Sequence, residues 1–480
     1  MAGRTRFALA VALIAFALSA NAADCNSSYI LTSQAAIQPN RPAGPVAWNG
    51  SVLAVARVIP NTPITLSTYD ANLTPLTPER IVTTSSYGHT VRLISDGNKF
   101  ALVFFTSSGT MAFQELASDG SPLGAERRIG PTHGVFNDQD LDATYNAALD
   151  LWEIVYNIPV GADLGIWVTS FHSKTAGPVT DTRLQIFVST VQPLPRIAAM
   201  ANGNIAISWY RQNNELTTYF IATYDPSLTF ALNTVLGPTN VSAPLLTSSG
   251  NGFALLYQAP AAGNTTELRW IRFNASGAVT NTDARLLTGS GIDVLATALI
   301  WNALLNEWAV VYNDASLGLL VFPGDYRIRR LNASGALISD TLFIPDSLRS
   351  NIDGHYNAVT SGPAYYGSID RFVSNVEGWD SYVVKHCPLD ASLKAENVTP
   401  VPRQPFTFTA SAGGGVAPYT YTWDFGDFTE QRHEQVFKHG YERTGTYTVT
   451  LTVTDSLGDK AVRTTTVTVV DTVRRRTARR

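Results

Sequence analysis

Charged residues are scarce in this sequence. Asp, Glu, Lys and Arg make up 15% of its 480 residues, against about 25% in an ordinary soluble domain. Hydrophobic residues make up 45%, which is enough for a large core. This excludes an intrinsically disordered chain, since disorder goes with low hydrophobicity and high net charge. Thr, Ser, Gly, Asn and aromatic residues take the place of the charged ones, and that composition favours β-structure.

Positive charge is also sparse outside the two ends of the chain. Of the 34 basic residues, seven are arginines at positions 4 and 6 and within 474–480, so 27 basic residues face 38 acidic ones elsewhere, a net charge of −11. No basic groove for phosphates is expected at that balance, which excludes a nucleic-acid-binding protein. Arginine outnumbers lysine 28 to 6, a bias that indicates a GC-rich, bacterial genome.

Long hydrophobic runs are absent. The longest is the 12-residue run Phe7–Leu18, which follows Arg4 and Arg6 and precedes Ala20-Asn21-Ala22. Twelve residues are too few to cross about 30 Å of hydrocarbon as a helix. The pattern predicts a signal peptide over 1–22, cleaved after Ala22; the alternative is an uncleaved anchor. We therefore expect a secreted protein, extracellular or periplasmic, with no transmembrane segment.

Cysteine occurs only twice, at Cys25 and Cys387, which are 362 residues apart. Export favours their oxidation to a disulfide bond. Such a bridge would tie the start of the mature chain to a point near residue 390. The chain-entropy model gives about 5 kcal/mol for so long a loop. The alternative is two unpaired thiols.

What the sequence does contain is an internal repeat. Residues 145–157 and 301–313 are identical at seven of thirteen positions, and their offset of 156 residues is three times 52. Asn274–Ala278 recurs as Asn332–Ala336, in both places as Asn-Ala-Ser-Gly-Ala. Each unit has the pattern of four short strands joined by Gly, Asn and Asp turns. Seven units start near residues 43, 89, 138, 194, 243, 292 and 354.

Four short strands per unit, at this period, are typical of one blade of a β-propeller. We therefore expect an all-β protein in which residues 23–392 form a seven-bladed propeller. A bridge between Cys25 and Cys387 would then join the first part of the ring to the last. The alternative, two stacked sandwich domains, is disfavoured by the 156-residue offset. The units lack the kelch, WD and sialidase signatures, so the sequence assigns no propeller family.

The pattern changes after residue 392. Prolines at 400, 402 and 405 predict a stiff linker over 393–404. Two motifs follow, PYTYTWDFGD at 418–427 and GTYTVTLTVTD at 445–455, and the second alternates as a strand with one buried face does. Residues 405–471 resemble a polycystic kidney disease (PKD) domain, an immunoglobulin-like β-sandwich. The resemblance implies an extracellular spacer or adhesive module without catalysis, and a basic tail follows over 472–480.

The first of these motifs carries the residues that a PKD domain would use. Trp423 is the expected core aromatic of the sandwich, and Asp424 and Asp427 flank Gly426 at a tight turn. The family pattern has Gly after the second Asp, where this chain has Phe428. We therefore interpret both Asp residues as turn caps rather than metal ligands. No metal and no cofactor is predicted, and calcium is only weakly supported.

Polar residues that could act in binding or catalysis occur where the innermost strands are expected to begin. These strands line the channel of a propeller. Asp138, Asp140 and Asp142 alternate at the start of unit three, so they share one face of a strand. As a calcium loop this segment fits poorly, because Ala143 stands at the sixth position instead of Gly. Residues at the same point of other units complete a polar funnel: His89, Arg92, Arg196, Asp293, His355 and Asn357.

This funnel has two interpretations. One is a solvated rim around a water-filled channel. The other is a glycosidase-like or lyase-like site, which requires two of the acids to lie within about 5–10 Å of each other across the channel mouth. The catalytic candidates are Asp138, Asp140, Asp142, Asp293 and His355, and the ligand-binding candidates are His89, Arg92 and Arg196. Candidates for stacking on sugars are Trp48, Trp167 and Trp379, each of which could equally be a packing residue.

Other chemistries find no support in the sequence. There is no Gly-x-Ser-x-Gly motif for a serine nucleophile, no His/Cys cluster for zinc and no glycine-rich phosphate loop. The first hypothesis is a secreted or cell-surface binding or adhesion protein, in which the propeller presents a loop face to an extracellular polysaccharide or protein. The alternatives are a secreted carbohydrate-active enzyme and a purely structural surface component.

Overall fold

The computed structural model describes residues 25–471 apart from the following: 26, 36–42, 130–139, 161–162, 173–179, 188–193, 214–215, 228, 240–243, 262–264, 282–283, 288–293, 315–324, 344–357, 362, 375–377 and 457. These residues form strands and turns. Within them, no helix has the length and apolar character needed to cross a membrane.

The larger domain consists of seven four-stranded antiparallel units, here called blades. Blade 1 contains β2 (Ala43–Trp48), β3 (Leu53–Arg57), β4 (Pro63–Tyr69) and the first half of β5 (Pro75–Ser95). Blade 2 contains the second half of β5, β6 (Phe100–Thr106), β7 (Met111–Leu116) and β8 (Pro122–Ile129). Blade 3 contains β9 (Leu141–Asn146), β10 (Leu151–Val160), β11 (Asp163–His172) and β12 (Thr180–Phe187).

The next three blades have the same strand order. Blade 4 contains β13 (Arg196–Ala199), β14 (Ile205–Asn213), β15 (Leu216–Tyr224) and β16 (Phe230–Thr239). Blade 5 contains β17 (Leu245–Ser248), β18 (Gly252–Ala261), β19 (Thr265–Asn274) and β20 (Ala284–Leu287). Blade 6 contains β21 (Val294–Asn302), β22 (Glu307–Asp314), β23 (Asp325–Asn332) and β24 (Leu337–Leu342).

Blade 7 combines the two ends of the propeller sequence. Its inner three strands are β25 (Ala358–Ser361), β26 (Ala364–Ser374) and β27 (Gly378–His386), and its outermost strand is β1 (Ser28–Ala35). The innermost strand of each blade contacts that of the next, and β2 of blade 1 contacts β25 and β26 of blade 7. The chain therefore forms a seven-bladed β-propeller, as the repeat predicts, and the alternative of two stacked sandwiches is wrong.

The blades are held together by apolar faces, and β6 shows how. All seven of its residues are buried. Phe100, Leu102 and Phe104 pack toward blade 1, while Val103 and Phe105 point the other way and pack with residues of blade 3. Because successive side chains of a strand point to opposite faces, a continuous apolar run supplies both interfaces. This is why a strand such as β6 does not alternate between apolar and polar residues.

Asn49 reinforces the contact between blades 1 and 2. Its side-chain oxygen accepts hydrogen bonds from the backbone N–H groups of Ser51 and Val52, at 3.1 and 2.8 Å. Its amide nitrogen donates to the backbone oxygens of Asn98 and Ser118 in blade 2, at 2.9 and 3.1 Å. One buried side chain thus caps the first hairpin of its blade and links it to the turns of the next.

The ring is closed by hydrogen bonds and by a covalent bond. Strand β1 pairs antiparallel with β27 from Ser28–Lys385 to Ala35–Trp379. Next to this ladder Cys25 and Cys387 form a disulfide bond, with Cα atoms 5.6 Å apart. The predicted bridge is confirmed, and it joins the strand that comes from the start of the chain to the last blade.

The C-terminal domain is a sandwich of two three-stranded sheets. One sheet has the order β28 (Asp390–Ala395), β29 (Phe406–Gly413), β31 (Val436–His439), and the other β30 (Thr420–Asp424), β32 (Gly445–Thr454), β33 (Lys460–Val469). Trp423 is fully buried in the core, and its indole N–H donates to the backbone oxygen of Glu434 at 2.9 Å. Because β28 pairs with β29, the sandwich takes in residues 393–395 of the predicted linker.

The sandwich lies directly against the propeller. Cys387, Pro388 and Leu389 alone separate β27 from β28, and the N–H of Gly415 donates to the backbone oxygen of Cys387 at 2.6 Å. Leu389 is already part of the apolar core of the sandwich. The connection therefore leaves no free length of chain between the two domains.

The disulfide bond should contribute strongly to stability, because it closes a loop of 362 residues. We expect the double variant Cys25→Ser/Cys387→Ser to lose up to about 5 kcal/mol of unfolding free energy, measured by urea denaturation. The wild-type protein treated with a reducing agent is the control and should unfold at the same urea concentration as the variant. A reduced protein as stable as the oxidised one would show that the β1–β27 ladder closes the ring unaided.

Candidate functional site

Five of the predicted funnel residues come together where the innermost strands of blades 2, 3 and 4 begin. They are called the rim below: His89, Arg92, Asp140, Asp142 and Arg196. His89 and Arg92 belong to β5, Arg196 opens β13, and the two acids lie at the start of β9. Neighbouring inner strands are in contact, so residues about 50 positions apart in the chain become neighbours.

The two acids of the rim are bound by arginines of the adjacent blades. Nη1 of Arg196 lies 2.6 Å from Oδ2 of Asp140, and Nε of Arg92 lies 2.8 Å from Oδ1 of Asp142. The second oxygen of Asp142 accepts a hydrogen bond from the backbone N–H of Ile197 at 3.1 Å. Blade 3 is thereby linked to blade 2 on one side and to blade 4 on the other.

The backbone around Asp140 is also held in place. Its N–H donates to the side-chain oxygen of Asn157 at 2.7 Å, and its Oδ1 accepts from the N–H of Leu141 at 2.9 Å. The side chain of Asp140 is 7% exposed and that of Arg196 is 11% exposed, whereas Arg92 keeps 28% of its surface. The rim is therefore a preorganised array of charged hydrogen-bonding groups that water reaches in part.

His89 is the neutral member of the rim. Its ring stacks on Phe105 with centroids 4.9 Å apart. Burial lowers the pKa of His89 below its ordinary 6.5, while the negative charge of Asp140 acts in the opposite direction and raises it. The imidazole is thus uncharged at neutral pH. Its Nε2 atom is buried and has no hydrogen-bond partner within the part of the chain that the structure describes.

Several predicted residues lie outside the described part of the chain: Asp138, Asp293, His355 and Asn357. Their roles stay predictions, and so does the convergence of acids that the enzymatic hypothesis requires. Trp379 belongs to β27, but its side chain is not described. Trp48 stacks on Tyr366 at 5.8 Å, and Trp167 packs against the core between blades 2 and 3. Both indoles are half-buried and take part in packing.

The acids of the PKD-like motif serve the turn that they flank. Asp424 accepts the N–H of Gly426 at 2.9 Å. Asp427 accepts the N–H and hydroxyl of Thr429 at 3.2 and 2.7 Å, and its other oxygen lies 2.8 Å from Nε2 of His439. Among the described residues no group of three or more His, Cys, Asp or Glu side chains could hold a metal ion.

One acid with an unusual environment was not singled out from the sequence. Glu153 is 3% exposed, and burial raises its pKa to about 7, although a hydrogen bond from Asn146, at 3.2 Å, works against the shift. Such shifts are frequent at catalytic groups. Glu153 lies beside the β9–β10 turn, however, at the opposite end of β9 from the rim. The position equivalent to Glu153 in the repeated segment 301–313 is Ala309. The repeat therefore did not mark Glu153 as a functional residue.

Residues 388–469 match the family model of the PKD domain. The C-terminal sandwich is a PKD domain. Among solved structures, the chain is similar to the SapL1 lectin in complex with alpha methyl fucoside, with 14% identity over 62% of this chain and 95% of the lectin and a TM-score of 0.39. It is similar to the polysaccharide lyase Uly1, with 9% identity over 73% of this chain and 90% of that one and a TM-score of 0.46.

A third similar structure is the β-propeller domain of the Trilobed protease from Pyrococcus furiosus, with 8% identity over 69% of this chain and 92% of that one and a TM-score of 0.43. The disulfide bond of this chain is of the kind that persists in oxidising compartments. Together with the PKD domain it indicates an extracellular protein. Cleavage after Ala22 stays a prediction, because residues 1–24 lie outside the described part of the chain.

The raised pKa of Glu153 has a consequence for stability. The folded protein keeps this carboxyl protonated up to about pH 7, whereas the unfolded chain ionises near the ordinary value of 4.5. The contribution of Glu153 is therefore complete below pH 4.5 and is lost as the pH rises through 7. We expect Glu153→Gln to be about 2–3 kcal/mol more stable than the wild type at pH 8 and equally stable at pH 4, measured by urea denaturation. Glu430→Gln, at an exposed position, is the control, and a gain that is the same at both pH values would contradict the assignment.

The lowered pKa of His89 can be measured directly. We expect its imidazole NMR signals to titrate with a midpoint below 6.5, and the midpoint to fall further in Asp140→Asn, because that variant removes the charge that favours the imidazolium ion. His89→Gln assigns the signals, and Asp142→Asn is the matched control that leaves Asp140 in place. A midpoint that rises in Asp140→Asn would contradict the geometry described above.

Proposed function

We propose that the protein is an exported binding protein, in which the rim of the propeller takes up a neutral extracellular polysaccharide and the PKD domain carries the propeller. The observation that supports this most directly is the pairing of Asp140 with Arg196 and of Asp142 with Arg92. Two guanidinium groups and two carboxylates stand together, and their charges cancel. The described part of the site therefore has no net charge, and such a site favours no ionic ligand.

The same groups are suited to hydroxyls. A sugar hydroxyl donates one hydrogen bond and accepts others, so it can use a carboxylate oxygen and a guanidinium N–H at the same time. Both kinds of group are fixed by interblade contacts before any ligand arrives, which lowers the entropic cost of binding. The uncharged ring of His89 leaves this charge balance undisturbed.

The pairing also supports binding over hydrolysis. A glycosidase needs one carboxyl that gives a proton and a second that attacks the sugar or activates water. At the rim each of the two described carboxylates is bound by an arginine, which occupies an oxygen that either role would need. The propeller of this chain therefore presents a surface for holding a polymer rather than an acid–base pair for cleaving it.

The test is a pull-down of residues 23–480 with insoluble chitin, insoluble cellulose and other neutral polysaccharides, with reducing ends assayed in the same tubes. We expect retention without new reducing ends, and retention that persists in 1 M salt, because screening acts on charged ligands and leaves a neutral one. Arg92→Gln should weaken retention. Arg57→Gln, which breaks a comparable pair with Glu79 on the outside of blade 1, is the matched control.

Two outcomes would contradict the proposal. One is a protein that none of these polysaccharides retains. The other is the release of new reducing ends that disappears in Asp140→Asn, which would establish the carbohydrate-active enzyme instead.

A further inference from the structure

The side chain of Phe428, in the PKD domain, does not stabilise the folded protein. Its side chain is completely exposed, with a relative accessibility of 106%. Its backbone has a φ of +66°, a left-handed conformation that costs an ordinary L-residue steric strain and costs glycine none. The ring therefore neither contributes to the core nor suits the backbone that carries it.

The turn that presents this ring is held from both sides. Asp427, which precedes Phe428, accepts hydrogen bonds from the N–H and hydroxyl of Thr429, which follows Phe428. The second oxygen of Asp427 lies 2.8 Å from His439, and the ring of His439 stacks on Phe425 in the core with centroids 4.0 Å apart. Phe428 is thus mounted on a turn anchored to the sandwich, so that little ordering remains to be done when a partner binds.

The surroundings of the ring indicate the class of partner. The next side chains along the turn are polar and exposed: Thr429, Glu430, Gln431, Arg432 and His433. Contiguous apolar patches larger than a few hundred Å² mark protein-docking surfaces, and a single exposed ring among polar side chains does not form such a patch. A pyranose ring has one apolar C–H face that can lie on an aromatic ring, and hydroxyls at its edge that need hydrogen-bonding groups nearby.

We propose that Phe428 is a stacking platform for a sugar ring and that the PKD domain makes a second contact with the polysaccharide. The choice of ligand rests on the function proposed above; the platform itself rests on the exposure and the strained backbone of Phe428. The contact lies on a different domain from the rim. The two sites together would hold one polymer, or neighbouring chains of a polymer surface, more firmly than either alone.

The decisive variant is Phe428→Gly in the full-length mature chain, because it removes the ring and relieves the strain. We expect its partition onto insoluble chitin or cellulose to fall about fivefold to tenfold, the loss of one aromatic contact. We expect the unfolding transition of the PKD domain, followed by calorimetry, to rise by about 3 °C. Phe428→Tyr keeps the ring and should bind as the wild type does.

Arg403→Gly is the matched control. Arg403 lies in the same domain, is exposed and has a φ of +63°, so glycine should relieve strain there without affecting retention. Phe428→Gly with unchanged retention would overturn the platform, and if Arg92→Gln still weakened binding, the proposed function would stand without it. Loss of self-association in Phe428→Gly, measured by sedimentation, with retention unchanged, would show that a second copy of the chain occupies the turn.

Discussion

The pairing of β1 with β27 is the contact on which the rest of the molecule depends. A blade buries its two faces only against its neighbours, so a ring of blades is stable only if the last meets the first. Here the last blade is incomplete until the strand Ser28–Ala35 joins it, and the Cys25–Cys387 bond fastens that strand beside the ladder. The hydroxyl oxygen of Ser27 also accepts a hydrogen bond from the backbone N–H of Cys387, at 2.9 Å. The completed blade 7 lies against blade 1, where β25 and β26 contact β2.

Closure also positions the PKD domain. Cys387 ends the ring, and three residues later the first strand of the sandwich begins. A buried charge cluster lies at this junction: Arg330 of blade 6 donates to both carboxylate oxygens of Glu307, at 2.8 and 3.0 Å, and lies near enough to Asp459 of the PKD domain for their charges to interact. Tyr365 donates to Glu307 at 2.6 Å.

The junction and the rim lie at opposite ends of the propeller. The first and third strands of an antiparallel blade run in the same direction, so the end of β27 is at the far end from the start of the inner strands. The PKD domain therefore leaves the rim uncovered. Beside the junction His386 is fully buried, and burial lowers its pKa to about 3. Because the folded state resists protonating this ring, its contribution to stability is complete above about pH 6.5 and falls as the pH drops toward 3.

Much of the architecture could be predicted because its signals are local. Turn residues and strand periodicity recur within each unit, and the predicted starts near 43, 194 and 292 fall close to the observed inner strands at Ala43, Arg196 and Val294. The PKD motif is equally local, since it is read within about forty residues. The linker was placed too far along the chain relative to β28, because the prolines that suggested it lie in the loop between β28 and β29, inside the sandwich.

The sequence by itself determined the repeat, the number of blades, the PKD domain and the pair of cysteines, all of which follow from residue order over short distances or from counting. The tertiary structure decided which residues meet. From blade to blade these charges lie about 50 positions apart in the chain, and only the packing of each inner strand against the next brings Arg92 to Asp142 and Arg196 to Asp140. The same holds for the burial of Glu153 and the full exposure of Phe428, both of which are properties of the folded chain.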